Sequence, residues 1–464
     1  MVSQRDTHLF NLKAVVTATG LKPDTLRAWE RRYGIPAPVR TPSGHRLYSQ
    51  RDIDLLHWLI ARQSEGLAIS RAVEMWLRLD REASAPPVAP LVLQPSTAVD
   101  QQNMAATHDS ILREKRTQWI DACLRFDEQA AEQTLSESFA LFTPEIVYLD
   151  VIQKGLAIIG EGWYKARVTV QQEHFASALA LRRLEAMLVA TPPPTRNGRI
   201  LIGCPPEEEH TFVPLLLSLL LRRRGWDTVY LGANVPVGSL EATIAATRPL
   251  LVVLTAQQLS TTLGLLEVAN VLLRERIPLA YGGLIFNRLP DLQQAIPGHF
   301  LGARIEAAAA TIEALMAAPR LQAAQRIPSY AYSAALREYR ARHAAVEAEV
   351  WRLMPTDVMP LRMLAAANLH FGRNIEAALA LGDLEYVSAD LEWLNGMLVN
   401  HVGMPPERVD LYLMTYLQAM RTVTHEDAAP LTRWLSALTS ESPSLGAPGH
   451  LVHRSNVLRS HPEL

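Results

Sequence analysis

Cysteine is nearly absent from this 464-residue chain: Cys123 and Cys204 are the only two, and they lie far apart in sequence. Neither a disulfide framework nor a cysteine-built zinc site can be assembled from them, and such usage suits a reducing compartment. Long apolar runs are missing as well. Val213–Leu221 is among the richest stretches and falls well short of the roughly 20 residues that a helical membrane crossing needs. The opening segment MVSQRDTHLF holds no apolar run of signal-peptide length. The expectation is a soluble cytoplasmic protein without a membrane partner. Charge of one sign is scarce too, since 45 Lys and Arg stand against 47 Asp and Glu for a net charge of −2. Whole-chain balance therefore announces no nucleic-acid partner. At 48% hydrophobic and 20% charged residues the composition is that of a globular protein, long enough for three or four domains.

The charge balance breaks locally. Residues 1–78 hold 12 Lys and Arg against 7 Asp and Glu, a basic end that hints at phosphate contact. Composition divides the chain further. Residues 1–79 read as short helices around a Gly/Pro-rich break, and 80–107 as a flexible Pro/Ser/Ala linker. Residues 108–192 are helical, whereas 198–325 alternate short β-branched runs (RILIGC, TVYLG, LLVVLT, PLAYGG, HFLG) with amphipathic helices. Such alternation implies a doubly wound parallel sheet, whose ligands bind where the strands end. Residues 330–440 are helical again, and 441–464 form a Ser/Pro/Gly tail; there is no internal repeat.

In the first block, Asn11 can cap a helix over Leu12–Ala18, Gly20 supplies a turn, and a second helix starts at Lys22-Pro23-Asp24 and ends at Gly34. This is the layout of a helix-turn-helix, whose second helix enters the major groove. Thr25, Arg27, Arg31 and Arg32 offer polar tips on that helix, while Leu26 and Trp29 face inward. Pro38–Tyr48 then reads as a Pro/Gly hairpin wing carrying Arg40, His45, Arg46 and Tyr48. A bare helical pair with arginines also fits an ordinary solvated surface. The linked run TLRAWERRYG, then Pro38, Arg40, Gly44, Arg46 and Tyr48, then a helix opening at Ser49-Gln50-Arg51-Asp52, resembles the MerR-type winged-helix head. That resemblance implies binding to double-stranded operator DNA through Thr25, Arg27, Arg31, Arg32, Arg40, His45, Arg46 and Tyr48. The long dimerising coiled coil and cysteine ligands of the metal-sensing MerR branch are missing, so another domain must sense and dimerise.

Directly after the strand RILIGC comes PPEEEHTFV. A neutral imidazole is a common metal ligand whose second nitrogen is usually oriented by a carboxylate, and Glu208 stands two residues before His210. Alone, E-x-H also reads as an acidic surface loop. Its surroundings resemble the cobalamin-binding fold, in which a D/E-x-H-x-x-G loop supplies the lower axial ligand to cobalt. The resemblance makes His210 that ligand, and it assigns Gly232, Thr255, Gly282 and Gly283 to the path of the nucleotide tail. It departs at Val213, where the motif has glycine and a branched side chain would narrow the tail pocket.

Upstream, GEGWYKARVTVQQEH places Trp163 near a helix end, and Thr169 with Gln172 makes a capping box that sets Glu173 and His174 in the next first turn. Taken alone these are a packed Trp and a surface pair. The W-x9-E-H spacing resembles the helical cap of the cobalamin-dependent photoreceptor repressors, the CarH-type branch of MerR proteins. There, these residues cover the adenosyl group on cobalt's upper face. The resemblance implies a light-responsive, non-enzymatic regulator whose oligomeric state, a homodimer or homotetramer, and operator binding depend on adenosylcobalamin. It departs at Tyr164, where that branch has a His that ligates cobalt after photolysis. A corrinoid enzyme module, a corrinoid-level sensor without light response, and a regulator with a degenerate pocket are the alternatives.

Residues 330–440 lie outside this resemblance and read as an oligomerisation bundle or as a second chromophore domain. In the latter case the layout looks like the photocobilins, and His343, His370 and His401 are the candidate contacts of a bilin. Since both cysteines lie elsewhere, such a bilin would be noncovalent. The expected fold class is thus multidomain α and α/β: a winged helix-turn-helix, a helical-bundle cap, a doubly wound parallel-sheet cobalamin-binding domain and a C-terminal all-α domain.

Overall fold

The computed structural model describes residues 8–41, 46–64, 69, 72–73, 76, 98–355 and 357–440. It divides into two units, Met1–Gln102 and Asn103–Leu464. No helix among the described residues is long and apolar enough to cross a membrane.

The first unit opens with β1 (His8–Asn11) and α1 (Leu12–Thr19), where the Asn11 side chain accepts from the Ala14 N–H at 2.9 Å. Gly20, at φ +72°, stops α1 in the left-handed conformation that glycine adopts without strain. Helix α2 (Pro23–Tyr33) starts on proline, whose missing N–H costs nothing in a first turn. Strands β2 (Val39–Arg40) and β3 (Arg46–Ser49) complete an antiparallel sheet in the order β1-β3-β2, and α3 (Gln50–Ser64) follows. Leu26 and Trp29, three residues apart on α2, fall on one helix face and are buried with Val15, Tyr48, Leu56 and Leu59. The expected wing residue His45 and the wing tip 42–45 lie outside the described residues.

Helix α4 (Ala98–Leu124) starts in the segment expected to be linker, and its residues from Asn103 onward belong to the second unit. Then come α5 (Glu128–Leu141) and α6, made of Pro144–Ile146, a π-helical stretch Val147–Gln153 and Lys154–Tyr164 in succession. Helix α7 (Val170–Val189) starts on the expected capping box at Thr169 and Gln172.

All five strand candidates form strands: β4 (Arg199–Gly203), β5 (Asp227–Tyr230), β6 (Leu251–Thr255), β7 (Leu279–Gly282) and β8 (His299–Phe300). They pair in parallel in the order β5-β4-β6-β7-β8. Helices α8 (Phe212–Arg223), α9 (Leu240–Thr247), α10 (Thr261–Arg274), α11 (Leu284–Arg288) and α12 (Ile305–Ala317) connect and flank them. Helix α8 is apolar nearly all round, with Pro214–Leu221 buried, as befits a helix packed both on α7 and on the sheet. Burying its six leucines favours folding by roughly 1.5–3 kcal/mol each, before entropy is charged.

The C-terminal block is α13 (Tyr330–Leu353), α14 (Leu361–Leu381), α15 (Glu385–Met397) with a π-helical extension Leu398–Val402, α16 (Pro406–Val423) and α17 (Ala429–Ser440). The sheet is covered on both faces. One apolar core joins Ile200, Ile202 and Val253 to the bundle residues Trp119, Tyr148 and Leu184. The other joins Leu201, Val252 and Tyr281 to Phe371, Tyr412 and Leu435 of the C-terminal helices. The all-α block is therefore a packed layer of this unit.

Candidate functional site

Strand order reverses between β4 and β6, so the loops leaving their carboxyl ends part and open a crevice. Glu208 and His210 sit in the loop after β4, and the segment after β6 faces them. Glu208, only 1% exposed, is fully engaged. Its Oε1 accepts from the His210 backbone N–H at 3.0 Å and stands 2.5 Å from His210 Nδ1. Its Oε2 accepts from the Gln257 N–H at 2.7 Å and the Thr261 hydroxyl at 2.8 Å. Burial alone would push this carboxyl up; the hydrogen bonds from His210 and Gln257 outweigh it and hold Glu208 below its ordinary value.

A carboxylate only accepts, so the His210 proton bonded to it sits on Nδ1 and the Nε2 lone pair is left for a ligand. The imidazole side chain is 60% exposed. Its pKa is raised, first by the Glu208 hydrogen bond and against the effect of burial, with Glu208, Glu173 and Glu209 adding negative field. The presence of Glu173 among these sources places the α7 end of the bundle within electrostatic range of the loop.

Around the crevice, Gln257 Nε2 is buried without a hydrogen-bond partner, and the buried Thr255 hydroxyl has only the weakly accepting Cys204 thiol beside it. Such groups are uncommon in finished interiors and mark a place where a polar ligand would satisfy them. Gly283 lies at φ +127°, and a Cβ there would fall 1.8 Å from the Ala256 carbonyl oxygen, so only glycine allows this approach. Gly282 and Gly232 both leave room beside their backbone, the latter at φ +82°. The next loop is tied in: the Asn234 N–H donates to the Glu208 carbonyl at 3.0 Å and its side chain accepts from Glu207 N–H at 2.8 Å. Val213 is half-buried in the first turn of α8 and packs on the core shared by sheet and bundle.

In the bundle, Glu173 Oε2 lies 2.8 Å from His174 Nδ1, and its Oε1 accepts from Ser177 at 2.7 Å. Trp163 ends α6, where Gly162 lets Val168 close the turn; a Cβ on Gly162 would meet Val168 at 2.6 Å. Sequence reasoning missed Gln257 and Thr261. The run TAQQLST at a strand's carboxyl end was their available signal.

In the head, Arg27, Arg31 and Arg32 are exposed along α2 and Thr25 is half-buried. Tyr48 requires a correction. It is fully buried and donates its hydroxyl to Glu30 Oε1 at 2.5 Å, while Arg46 Nε donates to Glu30 Oε2 at 2.8 Å. Burial first, then Glu30, raise the phenol's pKa. Tyr48 thus anchors the wing strand to α2 and has no surface to offer DNA. The Arg40 side chain lies outside the described residues. No cluster of three or more His, Cys, Asp or Glu suited to a bare metal ion occurs among the described residues. A metal held in its own macrocycle needs no such cluster, only an axial ligand.

A winged helix joined to this bundle and parallel sheet defines a helix-turn-helix regulator with a B12-binding domain. The family profile described as MerR HTH family regulatory protein matches residues 10–78, and that described as B12 binding domain matches residues 116–187. The chain is 32% identical over 243 residues to the HTH-type transcriptional repressor CarH of Myxococcus xanthus, covering 52% of this chain and 76% of that protein. It is 27% identical over 241 residues to the repressor CarA of the same organism, covering 51% and 73%. The regulator MlrA of Escherichia coli is 38% identical over 63 residues, 14% of this chain and 26% of that one. The chain belongs to the family of MerR-type regulators that includes CarH.

Proposed function

We propose that the protein is a light-responsive, non-enzymatic DNA-binding regulator whose assembly and operator affinity depend on adenosylcobalamin. The observation that carries this reading is the Glu208–His210 pair at the carboxyl end of β4: a locked Nδ1–H on a 60% exposed imidazole that feels the field of Glu173 on the bundle. The orphaned Gln257 amide, the Thr255 hydroxyl and the Gly282–Gly283 backbone fit the tail of such a cofactor. When bound, adenosylcobalamin supplies a light-labile carbon–cobalt bond; the rest is the work of the chain. His210 would hold the cobalt, Glu208 would fix the tautomer of His210, and Trp163, Glu173 and His174 would shelter the bound group from water. Arg27, Arg31 and Arg32, with Thr25, Arg40, His45 and Arg46, meet operator DNA. By linkage, a cofactor that promotes a dimer or tetramer must bind that assembly better than the free chain.

The test is to load the full chain with adenosylcobalamin in the dark, then compare absorbance, size-exclusion volume and DNA binding before and after green light. Bound cofactor with a light-induced change in all three is expected. A chain that takes up no corrinoid overturns the reading. A corrinoid complex indifferent to light leaves a corrinoid-level sensor.

A second chromophore is favoured by one further observation. Asn368 Nδ2, Asn395 Oδ1, His401 Nε2 and Asp410 Oδ1 are buried in the C-terminal domain without hydrogen-bond partners. A noncovalent bilin, with its pyrrole N–H donors and carbonyl acceptors, could offer partners to such groups, and His343 on α13 and His370 on α14 are its further candidate contacts. Added biliverdin should then give a red-absorbing band, and its absence refutes this addition alone.

A further inference from the structure

Three of the segments that carry candidate cofactor residues are the His210 loop after β4, the Gly282–Gly283 turn leading into α11, and the Trp163 end of α6. Helices α14 and α15 of the C-terminal domain hold all three. On α14, Arg373 pairs with Glu207 of the His210 loop at 3.2 Å. Glu207 stands at φ +66°, a strained conformation for any residue but glycine, and its N–H donates to the Asn234 side chain at 2.8 Å. Its backbone is thus tied to the neighbouring loop and its side chain to α14. On α15, the buried Asp390 pairs with Arg288 of α11, and the Arg288 guanidinium lies 5.2 Å over the Trp393 ring. Trp393 also runs parallel to the Tyr164 ring of the cap, 4° off with centroids 6.4 Å apart, and Gly396 makes room for it, since a Cβ there would run into the phenolic oxygen. In the π-helical turn that ends α15, Asn400 Nδ2 donates to the Tyr164 carbonyl at 2.8 Å. The next ring, His401, lies flat on the Trp163 indole, with centroids 3.9 Å and planes 16° apart.

The outer ties add little to stability. Arg373, Glu207 and Asn400 are exposed, and solvated pairs of this kind contribute little. The domain is already fastened to the sheet by the apolar core that Tyr281 shares with Phe371. What the ties fix is where three separate segments stand relative to one another. Helix α14 packs on α15 and on its π-helical extension, so a shift at one tie is passed to the others. A π-helical turn at such a contact is a distortion that often marks functional positions.

We propose that α14 and α15 form a strap joining these segments, with Arg373 and Asn400 as positioning residues that set the cap against the His210 loop before any cofactor arrives. The inference deepens the cobalamin reading above and rests on it. No side chain of the strap needs to touch the cofactor. Holding the segments in place beforehand lowers the ordering cost of binding. By reciprocity, a bound cofactor tightens the strap.

The experiment titrates the full chain with adenosylcobalamin in the dark, followed by absorbance, for the wild type, Arg373→Gln, Asn400→Ala and the double variant. Each single variant should weaken binding about fivefold, with a urea midpoint near the wild type's. Arg373 and Asn400 lie on different helical segments and hold different partners, so independent contributions would multiply. A strap released at one end positions nothing, and the double variant should bind hardly more weakly than either single one. In the wild type, hydrogen exchange of the Leu398–Val402 amides should slow when the cofactor binds; in cofactor-saturated Arg373→Gln it should not. Unchanged affinity in the single variants, multiplied losses in the double variant, or wild-type exchange indifferent to the cofactor overturns the proposal. If the wild type takes up no adenosylcobalamin, the cobalamin reading itself fails.

Discussion

Replacing Glu208 by Gln keeps the shape of the side chain and removes one acceptor oxygen, which makes it a sensitive probe of the crevice. The carboxylate serves four donors: the His210 N–H and ring nitrogen on one oxygen, and the Gln257 N–H and Thr261 hydroxyl on the other. An amide must turn its NH2 toward one pair. Facing Thr261 it does less harm, because that hydroxyl can donate to the Gln258 carbonyl, 3.0 Å away. The Gln257 N–H cannot turn, and a buried donor left unsatisfied costs about 1–3 kcal/mol. Relief of the buried charge offsets part of this, so the apo protein should lose roughly 1–2 kcal/mol by urea unfolding. The bond to His210 Nδ1 survives, now to a neutral oxygen, and the imidazole becomes a weaker ligand. Loss of such an orienting carboxylate weakens metal binding about 10–100-fold, or about 1.4–2.7 kcal/mol. Absorbance titration with cobalamin measures it. A variant that binds cobalamin as tightly as the wild type, with an unchanged spectrum, would refute the argued role of Glu208.

Gly283→Ala combines a forbidden contact with left-handed backbone and should cost about 3 kcal/mol or more. Gly232→Ala, at φ +82° with open space beside it, should cost only about 1–2 kcal/mol; equal urea midpoints would show that the Ala256 contact does not matter. Tyr48→Phe should lower the head's melting temperature, reflecting about 1 kcal/mol, while DNA affinity measured on the folded protein stays unchanged. Weaker DNA binding with unchanged melting would restore Tyr48 as a DNA contact. His370 is held below the ordinary histidine value by burial first and then by Arg373. Its folded pKa lies below its unfolded one, so stability is full above the unfolded value and falls as pH drops through the folded one. His370→Gln should flatten that acid limb in melting curves, and an unaltered pH profile counts against it.

What was legible in the sequence was local, and what was not was convergent. Asn11 and the Thr169–Gln172 box declared their helix starts because a cap acts over three residues. The five strands declared themselves by alternating with helices. The Glu208–His210 pair was visible for the same reason, being two residues apart. Tyr48 misled because a tyrosine in a wing reads as a polar tip; only the packing of β3 on α2 turns it inward toward Glu30, 18 residues earlier. Gln257 and Thr261 reach Glu208 across 49 and 53 residues because β6 pairs beside β4. That adjacency belongs to sheet order and has no signature in either loop. The boundary between the 198–325 and 330–440 blocks lies where composition changes, yet the apolar core runs through it, since Tyr281 and Phe371 share one cluster. The same packing brings Asn400 to Tyr164 across 236 residues. The substitution that looked like a loss, Tyr164 in place of a ligating histidine, thus acquires its physical meaning only from the helices that close on it: its carbonyl takes Asn400 and its ring lies along Trp393 beside Gly396.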